Sequence, residues 1–170
     1  MIKFEDFMNS MVNNWEGANN TLILLFPRLA KISNYVDSYI SQLMKEQGLL
    51  PSDFHLITAI RRAKAQAPYE LMPSELCNYM LFSWGGITKV MKRLENKEII
   101  TRVSSCHDKR IHMIRLTELG QKITEEAALE LHRLHKELLV GFSEDEINVL
   151  DKLLAKLLDN AESHQEKSTY

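Results

Sequence analysis

One change of period constrains the fold of this chain more than any other feature of its sequence. Across most of the 170 residues the apolar side chains recur every three or four positions, as they do on one face of a helix. Between residues 99 and 116 they instead roughly alternate along two β-branched runs, which the polar residues 106–110 separate. The pattern predicts a mainly α protein with a small, two-stranded β-hairpin.

The helices are marked by capping and breaking residues as well as by their period. In chain order the markers are the amphipathic repeat over 18–47, Pro51-Ser52-Asp53, Pro73, the capping hydroxyl of Ser83, Thr117, and Ser143 after the stop at Gly141. The first and last helices carry apolar stripes too long for the small central part to cover. We expect these stripes to pair across a two-fold axis in a homodimer, although a monomeric bundle is the alternative.

The average charge conceals an uneven distribution. With 21 basic and 23 acidic residues the net charge is −2, which on its own argues against nucleic acid as a partner. Residues 86–115, however, contain eight bases and three acids, so the remainder of the chain carries a net charge of −7. A localised basic segment is typical of a surface that binds phosphates, while a solvated helix face with a charged hairpin tip is the alternative interpretation.

The composition also indicates where the protein works. Two cysteines, Cys77 and Cys106, are too few for a disulfide framework and their spacing fits no zinc motif, which favours a reducing cytoplasm. The acidic start at residues 1–6 is unlike a secretory signal, and the longest clearly apolar run, residues 22–26, is far too short to span a membrane. We therefore expect a cytoplasmic protein without a membrane partner.

The fourth predicted helix opens with hydroxyl, glycine and lysine residues that suit entry into the major groove of DNA. The cations at the hairpin tip can reach an adjacent minor groove. Together they predict a winged helix-turn-helix at 49–118, between an N-terminal extension and dimerisation helix at 1–48 and C-terminal dimerisation helices at 119–170. The expected DNA contacts are Ser83, Trp84, Gly85, Gly86, Thr88, Lys89, Lys92, Arg93, Arg102, Asp108, Lys109 and Arg110.

These residues resemble the MarR family of bacterial transcriptional regulators. The likeness is strongest in the segments 73–76, 83–88, 93–95, 99–102, Asp108-Lys109-Arg110 and Leu116-Thr117-Glu118-Leu119-Gly120. The resemblance implies a homodimer on a palindromic double-stranded operator, with wing arginines in the flanking minor grooves. It also implies repression that a small, often aromatic effector relieves. One departure is Glu98, where the family usually has glycine at the helix end, so the turn before the wing is expected to differ.

A tryptophan in the N-terminal extension makes the chain similar to the branch that includes urate-responsive and PecS-like regulators. In that branch the ligand site uses the tryptophan, an aspartate and two arginines, and here Trp15 and Arg102 match two of these positions. The aspartate is replaced by His55 and one arginine by Val90, so a different ligand is expected. The candidate ligand residues are Trp15, Phe26, Tyr39, His55 and Arg102.

The remaining candidates are residues for metal binding, redox chemistry and catalysis. His132 and His135 stand three apart on a helix, but no further metal ligands can be placed, so no metal and no cofactor are expected. Cys106 lies beside bases that favour a thiolate, which makes it a redox candidate. No catalytic motif indicates an enzyme. The alternatives to a DNA-binding regulator are a winged-helix protein–protein adaptor that does not bind DNA and a metal-responsive regulator.

Overall fold

The computed structural model describes residues 3–15, 21–80, 86–104 and 112–168. Within them the chain forms six α-helices: α1 (Phe4–Asn14), α2 (Thr21–Glu46), α3 (Pro51–Arg62), α4 (Ile87–Asn96), α5 (Glu118–Leu138) and α6 (Glu144–Ser168). Three short strands are β1 (Glu70–Leu71), β2 (Ile100–Ser104) and β3 (His112–Leu116), and a 3₁₀ turn covers Leu76–Tyr79. The predicted fold class, mainly helical with a small winged sheet, is confirmed.

The structure adds two elements that the sequence pattern did not predict. The predicted hairpin is part of a three-stranded antiparallel sheet in the order β1-β3-β2, because Glu70 and Leu71 pair with Arg115 and Ile114. The N-terminal extension forms a helix of its own, α1, ahead of the long predicted helix. The β2–β3 pairing runs from Ile100 opposite Leu116 to Ser104 opposite His112, as the alternating pattern predicts.

The chain divides into two compact units, residues 1–127 and 128–170. The core of the first unit is built on α3, whose residues 56–60 are all buried, together with one face of α4 and the inner face of the sheet. In the second unit α6 begins as predicted: the Ser143 hydroxyl accepts the Glu146 N–H at 3.3 Å, and the Glu146 carboxylate accepts the Ser143 N–H at 2.8 Å.

Hydrogen bonds join the first turn of α5 to the base of the wing. The Thr117 hydroxyl donates to the Glu98 carbonyl at 2.7 Å and accepts the Gly120 N–H at 3.0 Å. A Cβ on Gly120 would lie 2.1 Å from the Ile99 carbonyl oxygen, so no other residue fits there without a backbone shift. The Thr-x-x-Gly sequence after β3 therefore has a physical function: it brings helix and wing into backbone contact.

Candidate nucleic-acid interface

Helix α4 presents two distinct faces. Val90, Met91 and Leu94 are buried against the core of the first unit. On the other side, an arc of about 100° at the helical period of 100° per residue carries four exposed polar side chains. We call this surface the polar face of α4, and it consists of Thr88, Lys89, Lys92 and Asn96.

The start of α4 differs from the prediction. The helix begins at Ile87 with Gly86 as its N-cap at φ +117°, so the cap provides no side chain, whereas Ser83 was expected to provide one. A Cβ on Gly86 would meet nothing within 4 Å, and glycine is therefore favoured here by backbone conformation, not by space. Ser83, Trp84 and Gly85, also expected at the DNA, lie outside the described residues.

The end of α4 is a Schellman motif. The Ile99 N–H donates to the Leu94 carbonyl at 3.0 Å and the Glu98 N–H to the Glu95 carbonyl at 2.9 Å. Glu98 itself adopts φ +57°, a left-handed conformation that glycine adopts far more readily than other residues. The expectation of a different turn is thus wrong, because the two hydrogen bonds and the buried Leu94 and Ile99 keep the motif despite the side chain.

The side chain of Arg93, one of the expected DNA contacts, binds residues of α3. Its Nε and terminal nitrogen bind Asp53, at 3.0 and 2.5 Å from Oδ1, and the terminal nitrogen also donates to the Ser52 hydroxyl at 3.0 Å. Asp53 is fully buried and also accepts the Leu50 N–H at 2.9 Å. This carboxylate therefore both caps α3 and fixes α4 on it, and a role of Arg93 at DNA stays a prediction.

Two further arginines of the basic segment are paired. Arg102 on β2 donates from Nε to Glu95 Oε1 at 2.6 Å, and Arg115 on β3 binds Glu70 Oε2 at 2.6 Å. Burial raises the pKa of Glu70, but hydrogen bonds from Arg115 and Lys64 lower it by more, so its pKa lies below the ordinary value. These pairs neutralise cations that the sequence counts as available.

The lysines of the same segment differ from its arginines. Across the described residues, Lys89, Lys92 and Lys97 have no ion-pair partner, and Lys89 and Lys92 belong to the polar face of α4. The other two cations of the segment, Lys109 and Arg110, fall outside the described residues, as do Cys106 and Asp108. Within residues 86–115, the described cations without an ion-pair partner are therefore the two lysines of α4 and Lys97, directly after it.

The candidate ligand residues lie on several different elements of the described chain. Trp15 at the end of α1 is 69% exposed and Phe26 on α2 is also exposed, while Tyr39 on α2 is half-buried. Arg102 is paired with Glu95, far along the chain from these helices. A 720 Å³ cavity beside α1 and α2 is lined by Phe4, Phe7, Pro27, Ala30 and other residues, none of them on the candidate list.

His55 lies on α3, half-buried and edge-on to the Phe54 ring at 5.7 Å between centroids. Burial lowers its pKa below the ordinary histidine value, Asp37 opposes that shift, and Arg62 adds to it. The neutral imidazole is favoured, which suits a weakly polar environment. Its role as a ligand contact stays a prediction.

Sequence reasoning missed the acidic partners. Asp53, Glu70 and Glu95 each hold an arginine of the basic segment, yet none was selected as a functional residue. Asp53 had a usable signal, because an acid at the third position of a helix that starts with proline is typical of an N-terminal cap. Its arginine partner, 40 residues later in the chain, had none.

Two kinds of feature are absent from the described part of the chain. No group of three or more histidine, cysteine, aspartate or glutamate side chains is placed there to hold a metal ion. No helix there combines the length and the apolar character needed to cross a membrane.

Known proteins resemble this chain in sequence and in fold. The family model described as transcriptional regulator SarA/Rot matches residues 38–127. The HTH-type transcriptional regulator PecS of Dickeya dadantii (strain 3937) is 24% identical over 88% of this chain and 92% of its own length. YdgJ of Bacillus subtilis (strain 168), described as an uncharacterised HTH-type transcriptional regulator, is 29% identical over 66% of each chain. A cysteine variant of E. coli MarR complexed with operator DNA is 26% identical, with a TM-score of 0.65 over 82% of this chain and 96% of that one.

Proposed function

Because this chain belongs to the SarA/Rot family of MarR-type winged-helix transcriptional regulators, we propose that it binds a palindromic operator as a homodimer and is released by a small molecule. It is a DNA-binding transcriptional regulator, as its relatives are. The contacts with DNA, the dimer and the effector are the parts that we propose.

The polar face of α4 supports the DNA contacts most directly. Lys89 and Lys92 are exposed, have no ion-pair partner among the described residues, and stand beside the hydroxyl of Thr88 on the same face. An exposed helix with cations on one side is the element that enters a major groove about 12 Å wide. In this proposal Lys89 and Lys92 bind phosphates or base edges, and Thr88 donates or accepts at a base.

The wing supplies the second part of the proposed contact. Strands β2 and β3 pair from Ile100 opposite Leu116 to Ser104 opposite His112, and Lys109 and Arg110 lie between the two strands in the sequence. We assign these two cations to the minor groove that flanks the recognition site, where a narrow groove attracts cationic side chains.

A double replacement tests the α4 assignment. Lys89→Gln with Lys92→Gln should weaken binding about fivefold for each lysine lost at 0.15 M salt, because each phosphate contact contributes a slope of about −0.9 in log K against log salt. The measurement is fluorescence anisotropy on DNA from upstream of the chain's own coding sequence, across a salt series. A random duplex of equal length reports the sequence-independent part.

The matched control replaces two lysines elsewhere, Lys152 and Lys156, which are exposed on α6. That variant should bind within twofold of the unmodified protein. If the unmodified protein shows no preference for its own upstream DNA at moderate salt, the proposed function is wrong. If the α4 variant retains full affinity, α4 is not the contact and the adaptor alternative gains support.

The homodimer is proposed from apolar side chains that a single chain leaves exposed. In the second unit the exposed residues of α6 are Val149, Leu150, Leu153, Leu154 and Leu158. In the first unit Leu25, Phe26, Ile32 and Tyr35 of α2 are exposed. Contiguous apolar surface of this kind marks an interface in a protein that stays in solution. Light scattering after gel filtration should give twice the chain mass of 19.7 kDa.

Release by an effector rests on the candidate ligand residues. Trp15, Phe26 and Tyr39 offer aromatic surface, and half-buried His55 offers a polar contact of low charge. A panel of small phenols and aromatic acids should therefore include compounds that dissociate the complex with DNA. Trp15→Phe with His55→Ala should raise the effective concentration of such a compound at least tenfold while leaving DNA affinity unchanged. A panel without effect, at millimolar concentration, would contradict this part of the proposal.

A further inference from the structure

The pair formed by Glu95 and Arg102 joins α4 to the wing. Glu95 lies in the last turn of α4 and Arg102 at the third position of β2, with Nε and Oε1 2.6 Å apart. Their side chains are 27% and 48% exposed, so the pair faces solvent at the point where α4 and the wing meet. Both elements belong to the proposed DNA contact, on which the following inference rests.

The position of Arg102 in the sheet explains why it meets this partner. Arg102 stands opposite Ile114, and Ile100 opposite Leu116, so these residues share one face of the sheet. Ile100, Ile114 and Leu116 are buried on that face, whereas Arg102 reaches solvent from it. The guanidinium group is thereby directed to the α4 side of the wing.

Glu95 stands at the margin of the polar face of α4. It follows Lys92 by three positions, which places it about 60° from that lysine around the helix axis. Among the ten residues of α4 it is the one acid. A carboxylate there repels the phosphates that Lys89 and Lys92 attract, unless a cation compensates it.

We propose that Glu95 is a specificity-determining residue: by pairing with Arg102 it withholds one cation from the DNA backbone and so lowers affinity that does not depend on sequence. The pair has no net charge. If Arg102 stays on Glu95, its charge is unavailable to phosphate. If Arg102 transfers to a phosphate, Glu95 is left unpaired beside the DNA. In both cases the pair adds little to phosphate attraction.

The consequence for recognition follows from the nature of phosphate contacts. They contribute affinity to every sequence alike, while discrimination comes from base edges and DNA shape. A regulator that must find one operator among many other sites gains from weaker sequence-independent binding, provided that its base contacts are kept. Glu95 removes one such phosphate contact per protomer without touching the bases.

Glu95→Gln tests the inference in the full-length protein, by anisotropy on its own upstream DNA and on a random duplex of equal length. Arg102 is then free, and affinity should rise about fivefold for each protomer at 0.15 M salt, with a slope steeper by about 0.9. The gain should be the same on both duplexes. Arg102→Gln should weaken binding, and the double replacement, again without net charge, should return to within twofold of the unmodified protein.

The matched control is Glu130→Gln, which removes the same charge from another exposed pair, that of Glu130 with Arg133 on α5. It should change affinity less than twofold. Unchanged or weaker binding by Glu95→Gln would overturn the inference, since Glu95 would then only position Arg102. A gain limited to the specific duplex would overturn it too. Absence of DNA binding by the unmodified protein would instead refute the proposed function.

Discussion

The winged region, residues 49–118, and the second unit, residues 128–170, differ in how many of their large apolar side chains are exposed. Between residues 49 and 118, the large apolar side chains that the structure describes as exposed are Leu50 and Tyr79. In residues 128–170 nine are exposed: Leu129, Leu138, Val140, Phe142, Val149, Leu150, Leu153, Leu154 and Leu158. The winged region therefore buries most of its described large apolar side chains within a single chain, whereas the second unit leaves many of them exposed.

The difference indicates separate tasks for the two regions. A region with a complete core can carry a polar, charged surface, as α4 does with Lys89 and Lys92. A helix with an apolar arc in solvent gains stability only when another surface covers that arc, at about 25 cal/mol for each Å² removed from water. We therefore expect α6 to depend on a second chain and the winged region to be more independent of it.

The largest expected effect comes from placing charge in the apolar arc of α6. Leu150→Glu with Leu154→Glu should raise the dissociation constant of the dimer by more than about a thousandfold, because four unpaired carboxylates would be buried in the interface. Sedimentation velocity across a concentration series measures the change. The circular dichroism of the dissociated chain should retain the signal of a folded winged region.

Lys152→Glu is the control for that comparison, since Lys152 lies on the opposite side of α6 from the arc. It should leave the dimer intact. A dimer that survives the double leucine replacement would show that the exposed arc is not the interface.

The next largest effect concerns the ion pair that holds α4 on α3 inside the winged region. Asp53→Ala removes the buried carboxylate that caps α3 and holds Arg93, and should lower the free energy of unfolding by about 2–4 kcal/mol. The figure lies at the lower end of the range for buried pairs because the Arg93 side chain is 26% exposed. Urea denaturation measures it. Asp151→Ala, at an exposed site on α6, should change stability by less than about 0.5 kcal/mol.

The sequence predicted well where local chemistry decides the structure. Pro51-Ser52-Asp53 opens α3, Ser143 caps α6, and the alternating residues of 99–116 form β2 and β3, all as expected. In each case the determining residues are close neighbours in the chain. Capping, period and turn chemistry are visible at that distance.

The failures concern partners that are distant in the chain. β1 has two residues and exists through its pairing with β3, 45 positions later between Glu70 and Arg115. No local pattern marks so short a strand. Counting charge likewise overstated the available cations, because the acids that neutralise Arg93 and Arg115 come from other segments. The charge surplus pointed to α4 and the wing, but contacts decided which of the described cations have no ion-pair partner.

A smaller effect compares two helix ends of the first unit that have the same geometry. α2 ends in a Schellman motif with Gly48 at φ +65°, and α4 ends in one with Glu98 at φ +57°. Gly48→Ala should lower the free energy of unfolding by about 1 kcal/mol, since a Cβ is disfavoured in the left-handed conformation. Glu98→Gly should raise the free energy of unfolding by about 0.5 kcal/mol, because relief of that strain exceeds the added freedom of the unfolded chain. Thermal unfolding of both variants checks the opposite signs, and two changes of the same sign would contradict the interpretation.

The smallest expected effect is a difference between the two regions in how their stability depends on pH. The pKa of Glu70 is lowered in the folded winged region, and that of Glu146 is lowered in the second unit by hydrogen bonds from the Ser143 backbone and hydroxyl. Each carboxylate therefore stabilises the fold above the ordinary glutamate pKa of about 4.3, and that contribution is lost as pH falls through the lowered value.

Replacing each of the two glutamates by glutamine measures its contribution to stability separately. Glu70→Gln should lose about 1 kcal/mol of stability at neutral pH, a difference from the unmodified protein that disappears toward pH 3. Glu146→Gln should follow the same sign with a smaller amplitude, because Glu146 is exposed and water screens its bonds, whereas Glu70 is largely covered between Arg115 and Lys64. Urea denaturation between pH 3 and pH 7 gives both curves. Equal amplitudes would mean that burial in the winged region adds nothing to its ion pairs.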